Sequence, residues 1–170
     1  MNHRAFRFAS DDCGVGIEHS IRYLNFSHNP LNDIGATTFV KLFLDFETRI
    51  VDLQLCCLDG ALEFALELAR VISDGNLPNL ERCDVSKNSI GRQGCERLME
   101  SFEQNTSPRL RSLNLSVCTL SDSGVSLICL AMRAGVFRGL EALDVSANSA
   151  STSLVFVAEV LKAGCCPALR

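Results

Sequence analysis

A period of thirty residues constrains this chain more than any other feature of its sequence. Five segments align without gaps: Ile21-Arg-Tyr-Leu-Asn-Phe-Ser-His-Asn29, Ile50-Val-Asp-Leu-Gln-Leu-Cys-Cys-Leu58, Leu80-Glu-Arg-Cys-Asp-Val-Ser-Lys-Asn88, Leu110-Arg-Ser-Leu-Asn-Leu-Ser-Val-Cys118 and Leu140-Glu-Ala-Leu-Asp-Val-Ser-Ala-Asn148. They begin at 21, 50, 80, 110 and 140, and Leu169-Arg170 opens a sixth, so the steps are 29, 30, 30, 30 and 29. A chain with this period is built from one unit used repeatedly, and each unit is too small to bury a core alone.

Each segment predicts a short strand. Its fourth and sixth positions (Leu24 and Phe26, Leu53 and Leu55, Cys83 and Val85, Leu113 and Leu115, Leu143 and Val145) alternate with polar neighbours, so one face is buried and the other wet. The ninth position carries Asn29, Asn88 and Asn148. A buried amide there can satisfy backbone groups where the chain leaves the strand, and stacked Asn side chains would form a ladder.

A helical pattern follows each strand. Asn32 or Asp33, Ser121 or Asp122, and Ser151 or Thr152 are the expected N-caps. Apolar residues recur at the nineteenth position (Phe39, Leu68, Leu98, Ile128, Ala158) and the twenty-third (Phe43, Ile72, Phe102, Met132), until Lys162 breaks the column. In the fifth helix Leu154, Val157, Ala158 and Leu161 form the expected packing stripe. Gly35, Gly94 and Gly124 near the helix starts predict close approach of helix to strand. Gly75, Pro78, Pro108, Gly139 and Pro167 punctuate the return to the next strand.

The pattern resembles the ribonuclease-inhibitor-like leucine-rich repeats, of the form L-x-x-L-x-L-x-x-N/C-x-L-x-x-x-G-x-x-x-L. Leu80 to Leu98 and Leu110 to Ile128 are the clearest copies, and the resemblance covers residues 21–170. That family alternates Asn and Cys at the ninth position, and Asn29, Leu58, Asn88, Cys118 and Asn148 alternate likewise. Leu58 departs from the pattern, as does Gly60 where a Leu is expected. Ala150 and Leu154 replace the loop Leu and helix-start Gly of the fifth repeat.

The resemblance implies an α/β horseshoe solenoid with parallel strands on the concave face and helices on the convex face. Parallel strands need a crossover of about a dozen residues, and each unit supplies one. Residues 1–20, with Phe6, Phe8, Cys13, Gly14 and Gly16, are expected to be an N-terminal cap or a degenerate repeat. Residues 21–170 hold five repeats and the start of a sixth. With no polar closing repeat, the chain reads as a fragment, a truncated gene model or one part of a larger protein.

Composition removes several function classes. The formal charge is -4, with 16 basic and 20 acidic residues and no basic block, which argues against nucleic acid and anionic membranes as partners. Ala61 to Ile72 is the longest strongly apolar stretch, and Glu63, Glu67 and Arg70 interrupt it. Met1-Asn2-His3-Arg4 leads into no apolar run, so no signal peptide is predicted. Nine Cys without a secretory signal or ligand spacing read as reduced, mostly buried thiols, Cys83 and Cys118 among them, in cytosol or alternatively nucleus. In the pairs Cys56-Cys57 and Cys165-Cys166, strand alternation would put one side chain in the core and the other outside.

His3, His19 and His28 are the only histidines. No nucleophile elbow, phosphate-binding glycine loop or H-E-x-x-H occurs, so neither catalysis nor a metal or other cofactor is expected. The strand face is the candidate contact surface. Its third column reads Tyr23, Asp52, Arg82, Ser112 and Ala142; its fifth reads Asn25, Gln54, Asp84, Asn114 and Asp144. The seventh is Ser27, Cys56, Ser86, Ser116 and Ser146, and the eighth adds His28 and Lys87. Tyr23 and Arg82 are the expected anchors, because Tyr and Arg dominate interface hot spots.

The function expected is a protein-interaction module gripping a protein partner of unknown identity on the concave face. Two alternatives rest on fold analogy. One is a regulator of a small GTPase of the Ran GTPase-activating type. The other is the sensor or adaptor tail of a larger receptor or ubiquitin ligase.

Overall fold

The structure, a computed structural model, describes residues 21–42, 48–104 and 109–170. The expected N-terminal cap, His3, His19, Phe43 and Pro108 lie outside the described residues. Strands and helices alternate strictly: β1 (Tyr23–Asn25), α1 (Asn32–Lys41), β2 (Asp52–Gln54), α2 (Leu62–Ser73), β3 (Arg82–Asp84), α3 (Gly91–Gln104), β4 (Ser112–Asn114), α4 (Ser121–Ala134), β5 (Ala142–Asp144) and α5 (Leu154–Lys162). The strands form one parallel sheet in sequence order. Its register sets Tyr23 beside Asp52, Asp52 beside Arg82, Arg82 beside Ser112 and Ser112 beside Ala142. The repeat alignment and the sheet register are therefore the same. Among the described residues no helix is long and apolar enough to cross a membrane.

Neighbouring strands sit about 4.8 Å apart, whereas packed helices need about 8–10 Å. Layers stacked at unequal spacings must curve, with the strands on the inside of the arc. The core fills the space between the layers. Leu53, Leu55, Cys83, Val85, Leu113 and Leu115 point into it from the sheet; Phe64, Leu68, Leu98, Val125 and Ile128 meet them from the helices. Leu24, Phe26, Leu143 and Val145 are only partly buried, because among the described residues each has a neighbouring strand on one side alone.

The ninth position holds consecutive repeats together. The Asn88 carboxamide oxygen accepts the amides of Leu58 and Gly60 in the preceding repeat, at 3.0 and 3.1 Å. Its nitrogen donates to the carbonyls of Leu55, Val85 and Ser86. Asn148 repeats the arrangement on Cys118, Leu120, Leu115, Val145 and Ser146. These side chains do not form the stacked ladder the sequence suggested. They stand two repeats apart, and each bridges the backbone of its own repeat to the one before. Between them the Cys118 thiol donates to the Val85 carbonyl at 3.3 Å, much as the Asn148 amide donates to Leu115.

The residue before each clamp lies in the left-handed region: His28, Cys57, Lys87, Val117 and Ala147 have φ between 53° and 63°. For L-residues this costs about 1–2 kcal/mol each. A bond between repeats offsets the cost. The amides of His28, Cys57, Lys87 and Val117 donate to the carbonyls of Cys56, Ser86, Ser116 and Ser146 in the next repeat.

The irregular second repeat has a packing explanation. A Cβ on Gly60 would lie 2.8 Å from the Phe64 ring, which is fully buried. In the third and fourth repeats the large residue is Ile90 or Leu120, and the glycine is Gly94 or Gly124. A Cβ on those glycines would come within 3.0 and 2.7 Å of the Ile90 and Leu120 Cβ atoms. Large and small have exchanged places across one turn. Gly94 also faces Ala65 at 2.7 Å, so the close approach is between α2 and α3 and not between helix and strand as expected.

The expected helix caps are also corrected. Asn32 does accept the Gly35 amide at 3.1 Å. Asp33 and Asp122, however, cap the helix of the following repeat. Asp33 accepts the amides of Ala61 and Phe64, and Asp122 those of Ser151, Thr152 and Ser153. Ser151 and Thr152 thus donate to a cap and do not form one. The Ser153 amide bond, reinforced by Thr152 and Ser151, holds the Asp122 carboxyl well below the usual carboxylate range, against a smaller opposing effect of desolvation.

Helix α5 differs from its expected stripe. Ser153 and Val160 are buried and Val157 partly so, while Leu154, Ala158 and Leu161 are exposed. The one-residue deletion that shortens this repeat falls before the helix, so the inward column moves one position earlier. Neither cysteine pair lies in a strand: β2 ends at Gln54, and Cys165-Cys166 follows α5. Cys56 and Cys166 are nonetheless buried and their neighbours half-buried. Cys83 and Cys118 are buried as expected, and burial pushes their thiols up to about 12 and about 11.

Asn88→Ala leaves several buried backbone groups unpaired. It should cost about 3 kcal/mol in urea unfolding, at about 1–3 kcal/mol per unsatisfied group with partial relaxation. Asn29→Ala, whose bonds among the described residues run to the Phe26 and Ser27 carbonyls of its own repeat, should cost about 1 kcal/mol.

Asp122→Asn should lower the melting temperature at neutral pH. A folded pKa below the unfolded one contributes stability above the unfolded value, and that stability is lost as pH falls toward the folded value. The gap between Asp122→Asn and the parent chain should therefore hold above about pH 5 and narrow below about pH 4 in thermal melts.

Candidate strand-face interaction surface

The face of the sheet away from the helices presents the third and fifth positions of every repeat. Strand alternation places them there, and the register aligns each column across five strands. Tyr23 is 68% exposed at one end of the third column. Beside it Arg82 Nε donates to Asp52 Oδ2 at 2.8 Å, and Asp52 Oδ1 accepts from Gln54 at 2.6 Å. The hydrogen bond and charge of Asp52 raise the Arg82 pKa further, so its charge is fixed. Tyr23 and Arg82 are thus brought to one neighbourhood, but Arg82 is already engaged.

The fifth column has a structural role that explains its composition. The side-chain oxygens of Asn25, Asp84, Asn114 and Asp144 accept the backbone amides of Ser27, Ser86, Ser116 and Ser146, closing a short turn at the strand end. Gln54 is one methylene too long for this turn and reaches Asp52 instead. Asn114 also donates to Asp84 at 3.1 Å. Asp144 and Asn25, at the two ends, are exposed.

The seventh column turns inward in the inner repeats. Cys56, Ser86 and Ser116 are buried and Ser27 Oγ accepts the Cys56 amide at 3.0 Å, while Ser146 is exposed. The eighth position, directed by its left-handed backbone, leaves His28 and Lys87 exposed at the rim. Beside the face the second column forms a charge ladder missed in the sequence, in which Arg111 bridges Glu81 and Glu141. The alternation Glu81, Arg111, Glu141 was its signal. Among the described residues no group of His, Cys, Asp and Glu is arranged to hold a metal ion.

The side chains of the Asp52–Arg82 pair are 19% and 42% exposed. A double-mutant cycle with Asp52→Ala and Arg82→Ala should give a coupling below about 1 kcal/mol that shrinks with added salt.

The family model described as "Leucine Rich repeat" matches residues 19–40 and 106–129. No curated protein matches the chain. The two matched stretches fall on the first repeat and on the fourth, and all five units share one register and one parallel sheet. The chain therefore carries leucine-rich repeats at the first and fourth units of a five-unit parallel array.

Proposed function

We propose that this chain is a protein-interaction module whose open strand face binds a macromolecular partner. The observation that carries the reading is the set of side chains exposed on that face once its internal bonds are assigned. Tyr23, His28, Lys87 and Asp144 project from it around the Asp52–Arg82 pair, while the opposite face of the sheet is covered by helices. Tyrosine supplies contact area at small entropic cost, and the adjoining charges supply orientation.

The ribonuclease-inhibitor-like subtype is supported by the alternation at the ninth position, because Cys118 and Asn148 bond equivalent carbonyls of the preceding repeat. Cytosolic or nuclear residence is supported by the buried, unpaired thiols of Cys83, Cys95 and Cys118, whose burial disfavours the thiolate.

Photo-crosslinking amino acids placed singly at Tyr23 and Asp144, and on the helical side at Arg97 and Arg133, test the reading in cells. The two strand-face positions should capture the same discrete partner, and the helical positions should not. Tyr23→Ala should then weaken binding of that partner about tenfold or more, as expected of a hot spot. Capture from the helical positions alone would overturn the assignment.

A further inference from the structure

A groove between α2 and α3 opens on the helical side of the array, away from the strand face. Its volume is about 370 Å³, and Leu62 and Leu66 line it from α2, with Gln93, Glu96, Arg97 and Glu100 from α3. The two leucines stand one helical turn apart and share a ridge, as Glu96 and Glu100 do on the facing wall. Ala65 and Gly94 are buried, and a Cβ on the glycine would come within 2.7 Å of Ala65, so the two helices meet closely there. Leu62 and Leu66 are left half-buried at the surface.

Both leucines break the repeat. The thirteenth and seventeenth positions carry Asp33 and Thr37 in α1, Arg92 and Glu96 in α3, and Asp122 and Ser126 in α4. At the thirteenth position Asp33 and Asp122 cap the helix that follows. Leu62 has no oxygen to accept such bonds, so a leucine there gives up a cap that α3 could receive. The core does not require it, since Ala65, Leu68 and Ala69 already fill the inward side of α2. Apolar side chains grouped in a surface groove at the expense of a helix cap mark a contact site.

The facing wall sets the charge of what can enter. Arg97 donates to Glu100 at 2.8 Å, whereas Arg92 stands 3.8 Å from Glu96, beyond hydrogen-bond reach. The lining thus holds two carboxylates one turn apart, whose repulsion an added cation relieves. The volume lies at the low end of the range for small-ligand pockets, ~300–1,000 Å³, which suits an inserted side chain better than a cofactor. We propose that the α2–α3 groove is a docking site for a basic amphipathic segment of a partner protein. One large apolar side chain of that segment packs on Leu62 and Leu66, and a Lys or Arg beside it meets Glu96. The groove lies on the helical side and stands without the strand-face reading. A partner held here is a different molecule from the one expected at Tyr23 and Asp144.

The test pans a random peptide library displayed on phage against the full chain and measures binding of the recovered peptides by calorimetry. One family of binders should pair a large apolar residue with a Lys or Arg no more than a helical turn away. Leu66→Ala should weaken that family about tenfold, the loss expected when a leucine contact is truncated. Glu96→Gln should weaken it about threefold, an effect that shrinks with added salt. Tyr23→Ala should leave it unchanged. Should Leu66→Ala melt well below the parent chain, Leu62→Gln at the other end of the ridge carries the same comparison. Glu96→Lys should turn the selection toward peptides with Asp or Glu in place of the cation. A library that yields no binder, binders that lack a cation beside the apolar residue, or binders all indifferent to both leucine variants would overturn the proposal.

Discussion

Every part of this architecture depends on satisfying the backbone where the chain turns out of a three-residue strand. Strands this short contribute few ladder bonds, so the sheet alone cannot fix the stacking of one repeat on another. The amide and carbonyl groups just past each strand are buried, and a buried group left unpaired is costly. Asn88 and Asn148 answer with a side chain that both donates and accepts. Each ties the turn of its own repeat to that of the preceding one. The left-handed residues just before position nine complete the arrangement. They accept an unfavourable φ so that their amides reach the next repeat.

Cooperation between repeats extends to the helices. Asp33 and Asp122 cap helices in the repeats that follow them, so the N-terminus of α2 or α5 is complete only when its neighbour is in place. Stability in such an array resides mainly at the interfaces between units. The exposed Glu81–Arg111–Glu141 ladder adds little by comparison, since solvent screens it.

What could be read from the sequence follows the range of each interaction. The thirty-residue period, the strand alternation and the burial of Cys83 and Cys118 depend on local pattern, and all were legible. The exchange of Gly60 and Phe64 was visible only as a departure, because its cause is the volume shared between two side chains in one turn. The caps from Asp33 and Asp122 were misassigned to their own helices, because their true partners lie about thirty residues on. The stripe on α5 was misplaced because a deletion of one residue rotates a helix by about 100° without disturbing the strands on either side.

The strand face shows the same division between structure and function. Its fifth column looked like a polar contact surface, yet Asn25, Asp84, Asn114 and Asp144 are held by the turn they close. A side chain committed to its own backbone can still offer its second oxygen or its nitrogen, as Asn114 does to Asp84. The turn therefore leaves polar groups in place with little rotational freedom, which would lower the entropic cost of engaging them. Tyr23, His28 and Lys87 close no such turn and are exposed. On the proposed reading, a polar grid held by its own turns and bordered by exposed anchors would let the anchors change without disturbing the bonds between repeats.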